Sequence, residues 1–523
     1  NYASWTFRKA PKFFDVVTWT GNSTSGREIA HNLGSVPGMI IVKSLTEARQ
    51  WMVYHRSTGK IETTILNSTV ASANTALWNS TDPTSTVFTL NNDGDVNTTG
   101  NRYVAYLYAH NDGDGVFGPT GDQDIIKCGS YVGAGGGNNI EIGFEPQWLL
   151  IKNITQTAGW VLFDNMRGIV SGSGGTDARL YANATTSENT GVDYLELTPT
   201  GINLISSNGD TNASGQSYIY MAIRRGPLAP PTAGTEVFAP NFYGTSGYVG
   251  YLGAPADMSM LGYRSGNSQN AVIRTRMLSN TKGLVTSSNA AEVTTSSSWD
   301  NMSGVSTASS TITTLISWTW KRAPSFFDAV AYTGTGSPLT LNHNLGVAPE
   351  LVLYKSRSAA EYWFVQSSEL TSVTDSYVFV NYDNAESSAI GTIWRTPDAT
   401  TFGVDYTGNL TGCNTSGATY IAYLFATLAG VSKVGSVTHS GTTNVDCGFS
   451  AGARFVLLKR TDAPGGWYVW DSARGIVSGN DPYLLLNSTA AEVTNTDYID
   501  PLSSGFTITS TLTAGDYIFY AIA

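Results

Sequence analysis

Two aspartates stand three residues ahead of an arginine–glycine pair: Asp164 before Arg167-Gly168, and Asp471 before Arg474-Gly475. A carboxylate beside a guanidinium could be half of an acid–base device, and glycoside hydrolysis is the reaction it would serve. That reaction needs a second carboxylate roughly 5–10 Å away, with the pKa of one of the two raised. Related segments hold His55 and Ser367 near the corresponding place, so the acid does not recur with the pattern. The expected role is therefore a turn, in which the aspartate accepts backbone N–H groups and the arginine ties down the next strand.

A second constellation recurs four times. A lysine closes a short apolar run and a tryptophan follows eight positions later, as Lys43/Trp51, Lys152/Trp160, Lys355/Trp363 and Lys459/Trp467. An open indole face could stack on a pyranose ring. The rings lie in alternating runs, Trp160-Val161-Leu162-Phe163 and Trp467-Tyr468-Val469-Trp470, and are kept in four copies. That persistence predicts core positions between two sheets. Five histidines, among them His31 and His343 in a repeated His-Asn-Leu-Gly turn, have no metal-ligand spacing. Asp93-Gly94-Asp95 and Asp112-Gly113-Asp114 lack the twelve-residue calcium-loop pattern and read as turns. Cys128, Cys413 and Cys447 are too scattered for a disulfide framework or a metal site, and no cofactor is expected.

The elements that position these residues are strands. Charged residues are 13% of the 523 positions, against roughly 25% in an ordinary soluble domain, while aromatics reach 11% and glycine fills 55 places. So many aromatics exclude a disordered chain. Sparse charge excludes an ordinary helical enzyme with salt-bridged outer faces. With a net charge of −11 and 29 basic residues spread thinly, the chain has no footprint for nucleic acid. No apolar run is long enough for a membrane helix. Short runs rich in Val, Ile, Tyr, Trp and Thr, bounded by Gly, Asn and Asp, predict an all-β chain of small antiparallel sandwiches, jelly-roll or lectin-like. Asn91-Asn92-Asp93-Gly94 and Asn208-Gly209 read as hairpin turns with positive φ.

The chain repeats itself. Ser4-Trp5-Thr6-Phe7-Arg8-Lys9-Ala10-Pro11 returns 313 positions later as Ser317-Trp318-Thr319-Trp320-Lys321-Arg322-Ala323-Pro324, and Asp164 to Gly172 returns as Asp471 to Gly479. Each unit closes on a glycine and a tyrosine-rich strand beginning at Tyr103, Tyr218, Tyr420 or Tyr517. The order is A-B-C-A-B: an A-type sandwich at 11–111, B-type at 112–226, a divergent C-type at 227–323, A-type at 324–427 and B-type at 428–523. Residues 1–10 match the last strand of a C unit and are expected to form an edge strand with Trp5 and Phe7 packed on something. In the C unit, Tyr263-Arg264-Ser265 stands for the Val-Lys-Ser of the others, without the tryptophan.

The run Gly143-Phe144-x-Pro146-x-Trp148-Leu149-Leu150-Ile151-Lys152, then Trp160 and Phe163-Asp164-x-x-Arg167-Gly168, is similar to a repeated domain of tail-fibre-like virion proteins of marine tailed phages, cyanophages in particular. Gly417-x-x-Tyr420-Ile421-Ala422-Tyr423-Leu424-Phe425 belongs to the same pattern. The resemblance spans the A and B units and weakens in C. It implies a non-enzymatic module of a virion appendage at the particle surface. Other virion proteins and host-surface polysaccharide are the implied partners, with homo-oligomeric assembly, and no catalytic residue is carried over. The alternatives are a purely structural virion protein, such as a head-decoration or tail-associated component, and a secreted bacterial adhesin. A polysaccharide depolymerase would need a carboxylate cleft that the sequence does not offer.

Overall fold

The computed structural model describes residues 2–171, 175–242, 248–265, 271–278, 281–295, 299, 301–306, 314–405 and 411–523. Among them every sheet is antiparallel, and no helix is long and apolar enough to cross a membrane. The fold is all-β, a tandem array of two-sheet modules. It divides into two compact units, one formed by residues 1–169 and 176–228, the other by 170–175 and 229–523.

One strand order serves throughout. In the first A segment, Phe14–Thr20 pairs with Arg102–Tyr108, which pairs with Met39–Ser44, followed across the sheet by Met52–His55, Glu62–Ile65 and Ala73–Asn74. Arg27–Ala30 and Val87–Leu90 form a small second sheet. The first and last strands of the segment are thus neighbours, which closes each module on itself. The same order returns between 126 and 224, 238 and 320, 327 and 425, and 432 and 522, with a second sheet of two or three strands.

Because side chains alternate across a strand, the large sheets are buried on both faces. Val161 and Phe163 face the core of their own module, with Leu149, Ile151 and Tyr194. Trp160 and Leu162 point the other way, into a core shared with Met39, Ile41 and Val53 of the A segment. In the second unit one cluster takes Trp318 and Trp320 from the C segment, Trp363 and Val365 from the second A segment, and Trp467 and Val469 from the second B segment. Three large sheets back onto this common core, while each module keeps a smaller core under its second sheet. Two-sided burial is why the third strands read as unbroken apolar runs.

Several expectations are corrected here. Gly94 and Gly209 do not have positive φ, and their loops connect strands of different sheets rather than closing hairpins. Residues 2–9 carry no ladder; only Ala10 bridges, to Phe14. Leu315–Trp320 pairs on both sides, with Phe238–Phe242 and Met258–Tyr263, whereas 2–9 is held by side-chain packing. Trp5 and Phe7 do pack, and Phe7 meets Phe14, Tyr108 and Trp148 at ring-centroid distances of 5.5–5.9 Å. In the C segment the register places Gly262, not Arg264, where Lys355 stands. The two-residue offset keeps Arg264 on the same face.

Candidate functional site

The repeated lysine and tryptophan sit together at the joints between modules. Pairing Lys152 with Trp160, and Lys459 with Trp467, puts each couple at one end of its sheet. Asparagine side chains fix all four tryptophan backbones: Trp51, Trp160, Trp363 and Trp467 donate their N–H to Asn67, Asn183, Asn381 and Asn487. The indole Nε1–H groups then reach the neighbouring module. Trp160 donates to Ile65 O at 2.9 Å, Trp363 to Val285 O at 2.8 Å and Trp467 to Phe379 O at 2.7 Å. These three rings are buried, but against the adjacent module rather than between the two sheets of their own sandwich. Trp51, at the same position, is only half-buried and stacks on Tyr106.

Each lysine binds its own loop six residues on and, in three cases, a neighbouring module. Lys152 donates to Ala158 O and Thr69 O, Lys355 to Glu361 O and Asn289 O, and Lys459 to Gly465 O, Asp383 O and Asn384 O. Burial pushes the pKa of these three ammonium groups down to about 8. A buried amine of lowered pKa can be a nucleophile. Here carbonyl oxygens surround it, and the arrangement fastens backbone to backbone. A backbone bond completes each joint: Ser72 N–H to Ile154 O, Glu292 N–H to Arg357 O, Glu386 N–H to Thr461 O and Glu492 N–H to Arg264 O.

The aspartate–arginine pairs form the other cluster. Asp164 Oδ1 accepts the N–H groups of Met166 and Arg167, while its Oδ2 accepts Arg167 Nε at 2.6 Å and Trp5 Nε1 at 3.1 Å. Asp471 repeats this with Arg474 Nε at 2.6 Å and Trp318 Nε1 at 2.9 Å. The expected turn is present, with one difference. Each arginine reaches back to the preceding strand, at Leu162 O or Val469 O, and lies over the tryptophan ring at about 5.5 Å. Arg167 also binds Glu188, and Arg474 binds Glu492, which in turn holds Arg264. The Asp164 carboxylate accepts four hydrogen bonds and that of Asp471 three, all from groups that hold the turn and the tryptophan. Strand register puts His55 and Ser367 at the same site as Asp164 and Asp471. His55 donates Nε2–H to Tyr220 O and Ser367 donates its hydroxyl to Glu350 O. One position of the sheet thus serves as a fastener in three chemistries, carboxylate, imidazole and hydroxyl.

The four tyrosines lock crossover loops. Tyr103 and Tyr218 donate O–H to Gly94 O and Gly209 O and accept the N–H groups of Thr98 and Ala213. Tyr420 accepts Thr415 N–H, and Tyr517 donates to Thr513 O. Glu188 gives no signal in the sequence, Glu492 is marked only by the Ala-Ala-Glu-Val-Thr string repeated at 290–294 and 490–494, and Arg264 only by its place in Tyr263-Arg264-Ser265.

A broad polar groove crosses the second A and B segments, lined by Glu369, Glu386, Ser436, Thr438, Asp462 and Asp516. Its acids are occupied: Ser436 donates to Glu369, Thr371 N–H to Glu386, Arg460 to Asp462 and Thr438 to Asp516. Among the described residues, no group of three or more His, Cys, Asp or Glu side chains could hold a metal ion.

A family model described as a domain of unknown function, DUF7483, matches residues 9–227 and 276–523. No curated protein and no solved structure matches the chain.

Proposed function

The chain belongs to the DUF7483 family, and from that footing we propose that it is a non-enzymatic segment of a tailed-phage virion appendage, a tail fibre or spike, that holds β-sandwich modules toward host-surface glycans. One observation carries the reading. The side chains best suited to chemistry are spent on holding segments together: Asp164 and Asp471 accept the indoles of Trp5 and Trp318, and Lys152, Lys355 and Lys459 donate to carbonyls of the neighbouring module. Rigid joints suit a protein that must span distance and transmit load. The resemblance of the A and B repeats to tail-fibre-like virion domains supplies the setting.

Contact with glycan falls to loops that differ between modules, since the shared positions are framework. The hydroxyl- and carboxylate-lined groove of the second unit offers a polar surface beside such loops. Weak single contacts gain avidity from display on an array, by roughly 10²–10⁴. Other virion proteins are the structural partners, and the array works as a homo-oligomer. The test is a pull-down of host cells and envelope polysaccharide by the purified chain, with reducing sugar assayed alongside. Retention without sugar release is expected; cleavage that depends on an acidic pair would overturn the non-enzymatic reading. Antibody labelling of intact particles checks the location, and label on the head alone would favour a decoration protein.

A further inference from the structure

The second unit is a closed ring of three modules. Its A segment binds C through Trp363 and the Glu292–Arg357 backbone bond; B binds A through Trp467 and the Glu386–Thr461 bond. C closes on B through the Glu492–Arg264 bond, the Trp318–Asp471 hydrogen bond and Thr286 to Leu486 O at 2.7 Å. The first unit has one of these three joints, that of B on A, through Trp160 and Ser72–Ile154.

The places where a third module would sit are present and uncovered. Trp51 is half-buried where Trp160, Trp363 and Trp467 are at most 1% exposed. Leu45, two residues after Lys43, is 50% exposed, whereas Arg357 and Thr461 at that position are 5% and 9% exposed. Across the unit, the Glu188 side chain is 38% exposed and its counterpart Glu492, under Arg264, is 6% exposed. Trp5 already occupies the place of Trp318, bonded to Asp164 and lying under Arg167 as Trp318 does with Asp471 and Arg474.

We propose that the first unit holds an open third position, between the Trp51 face and the Glu188 corner, and that its occupant is a C-type β-sandwich module joined in series to the Trp5 segment. That module would offer a strand carbonyl to the Trp51 indole, as Val285 does to Trp363, and an arginine to Glu188, as Arg264 does to Glu492. The complementarity is specific to C. An A module carries Lys43 or Lys355 where C has Gly262, and a Cβ at Gly262 would press on Leu484 and Trp318 at 2.8–2.9 Å.

The test fuses residues 229–313 ahead of residue 1 of the full chain, which keeps the register of the Ser317/Ser4 match. Amide hydrogen exchange is then followed in segments 45–55 and 183–189, which occur only in the first unit. Slowing of both by at least about tenfold, with segments 357–367 and 487–493 unchanged, is the expected result. Trp51→Ala in the extended chain should abolish the slowing at 45–55. No slowing at either segment overturns the proposal, whether or not the added module is itself protected. If the unextended chain sediments as a dimer whose 45–55 segment already exchanges as slowly as 357–367, a second copy fills the position and the in-series occupant is refuted.

Discussion

At the scale of single residues, the same tryptophan has different worth at different joints because its surroundings differ. Trp467→Ala removes a ring that is 1% exposed together with its bond to Phe379 O, and should cost about 3–5 kcal/mol in urea unfolding. Trp51→Ala, in a half-buried ring, should cost about 1–2 kcal/mol. Equal losses would contradict the difference in packing. Asp481 responds to pH: burial and the nearby Asp497 and Asp500 push its pKa up to about 7. An acid raised above its unfolded value of about 3.9 favours folding only while protonated, so stability falls as pH rises from about 4 through 7. Asp481→Asn should therefore raise the melting temperature at pH 8, by an equivalent of about 1–3 kcal/mol, and change little at pH 4. A stabilisation independent of pH would rule out this origin.

At the scale of elements, each tyrosine pins the loop that carries the chain from the small sheet back to the large one. Tyr218 is fully buried, and its hydroxyl both donates to Gly209 O and accepts from Ala213 N. Tyr218→Phe keeps the ring and leaves Gly209 O its bond from Asn153 Nδ2, but strips the Ala213 N–H of its partner, which should cost about 1–3 kcal/mol. Exchange at the 208–213 amides should accelerate more than at strand Trp160–Asp164; uniform acceleration would mean that the loop is not held locally. Gly215 and Gly417, just ahead of these strands, sit at φ 75° and 77° with open space where a Cβ would lie. Glycine is used there for its backbone freedom and not for room.

At the scale of the whole molecule, two units with separate cores should unfold as two transitions. Acid separates them. His55 is buried with Nδ1 accepting Ser57 N–H and Nε2 donating to Tyr220 O, and burial pushes its pKa down to about 4. The unfolded chain binds this proton near pH 6.5, so the first unit loses on the order of 2–3 kcal/mol as pH falls from 6.5 to 4. Calorimetry at pH 7 and pH 4.5 should show the transition that is sensitive to Trp51→Ala moving down, with His55→Gln reducing the shift. A His55→Gln variant with an unaltered acid response would assign it to other groups.

The sequence by itself determined the all-β class, because sparse charge, abundant β-branched and aromatic residues and turn clusters admit little else. It also determined the repeats, since Asp164/Asp471 and the four Lys–Trp couples match position by position. The burial of Trp160, Trp363 and Trp467 was legible from their alternation with Val161, Phe364 and Tyr468, but alternation does not say which face meets which partner. The run Leu149-Leu150-Ile151 is apolar on both faces and so carried the sign of a second covering layer. What that layer is depends on contacts 80–160 residues apart, such as Trp467 to Phe379 and Trp318 to Asp471. Only the tertiary structure decided that three modules share one core, because the energy of that core lies between modules and leaves no period within any one of them.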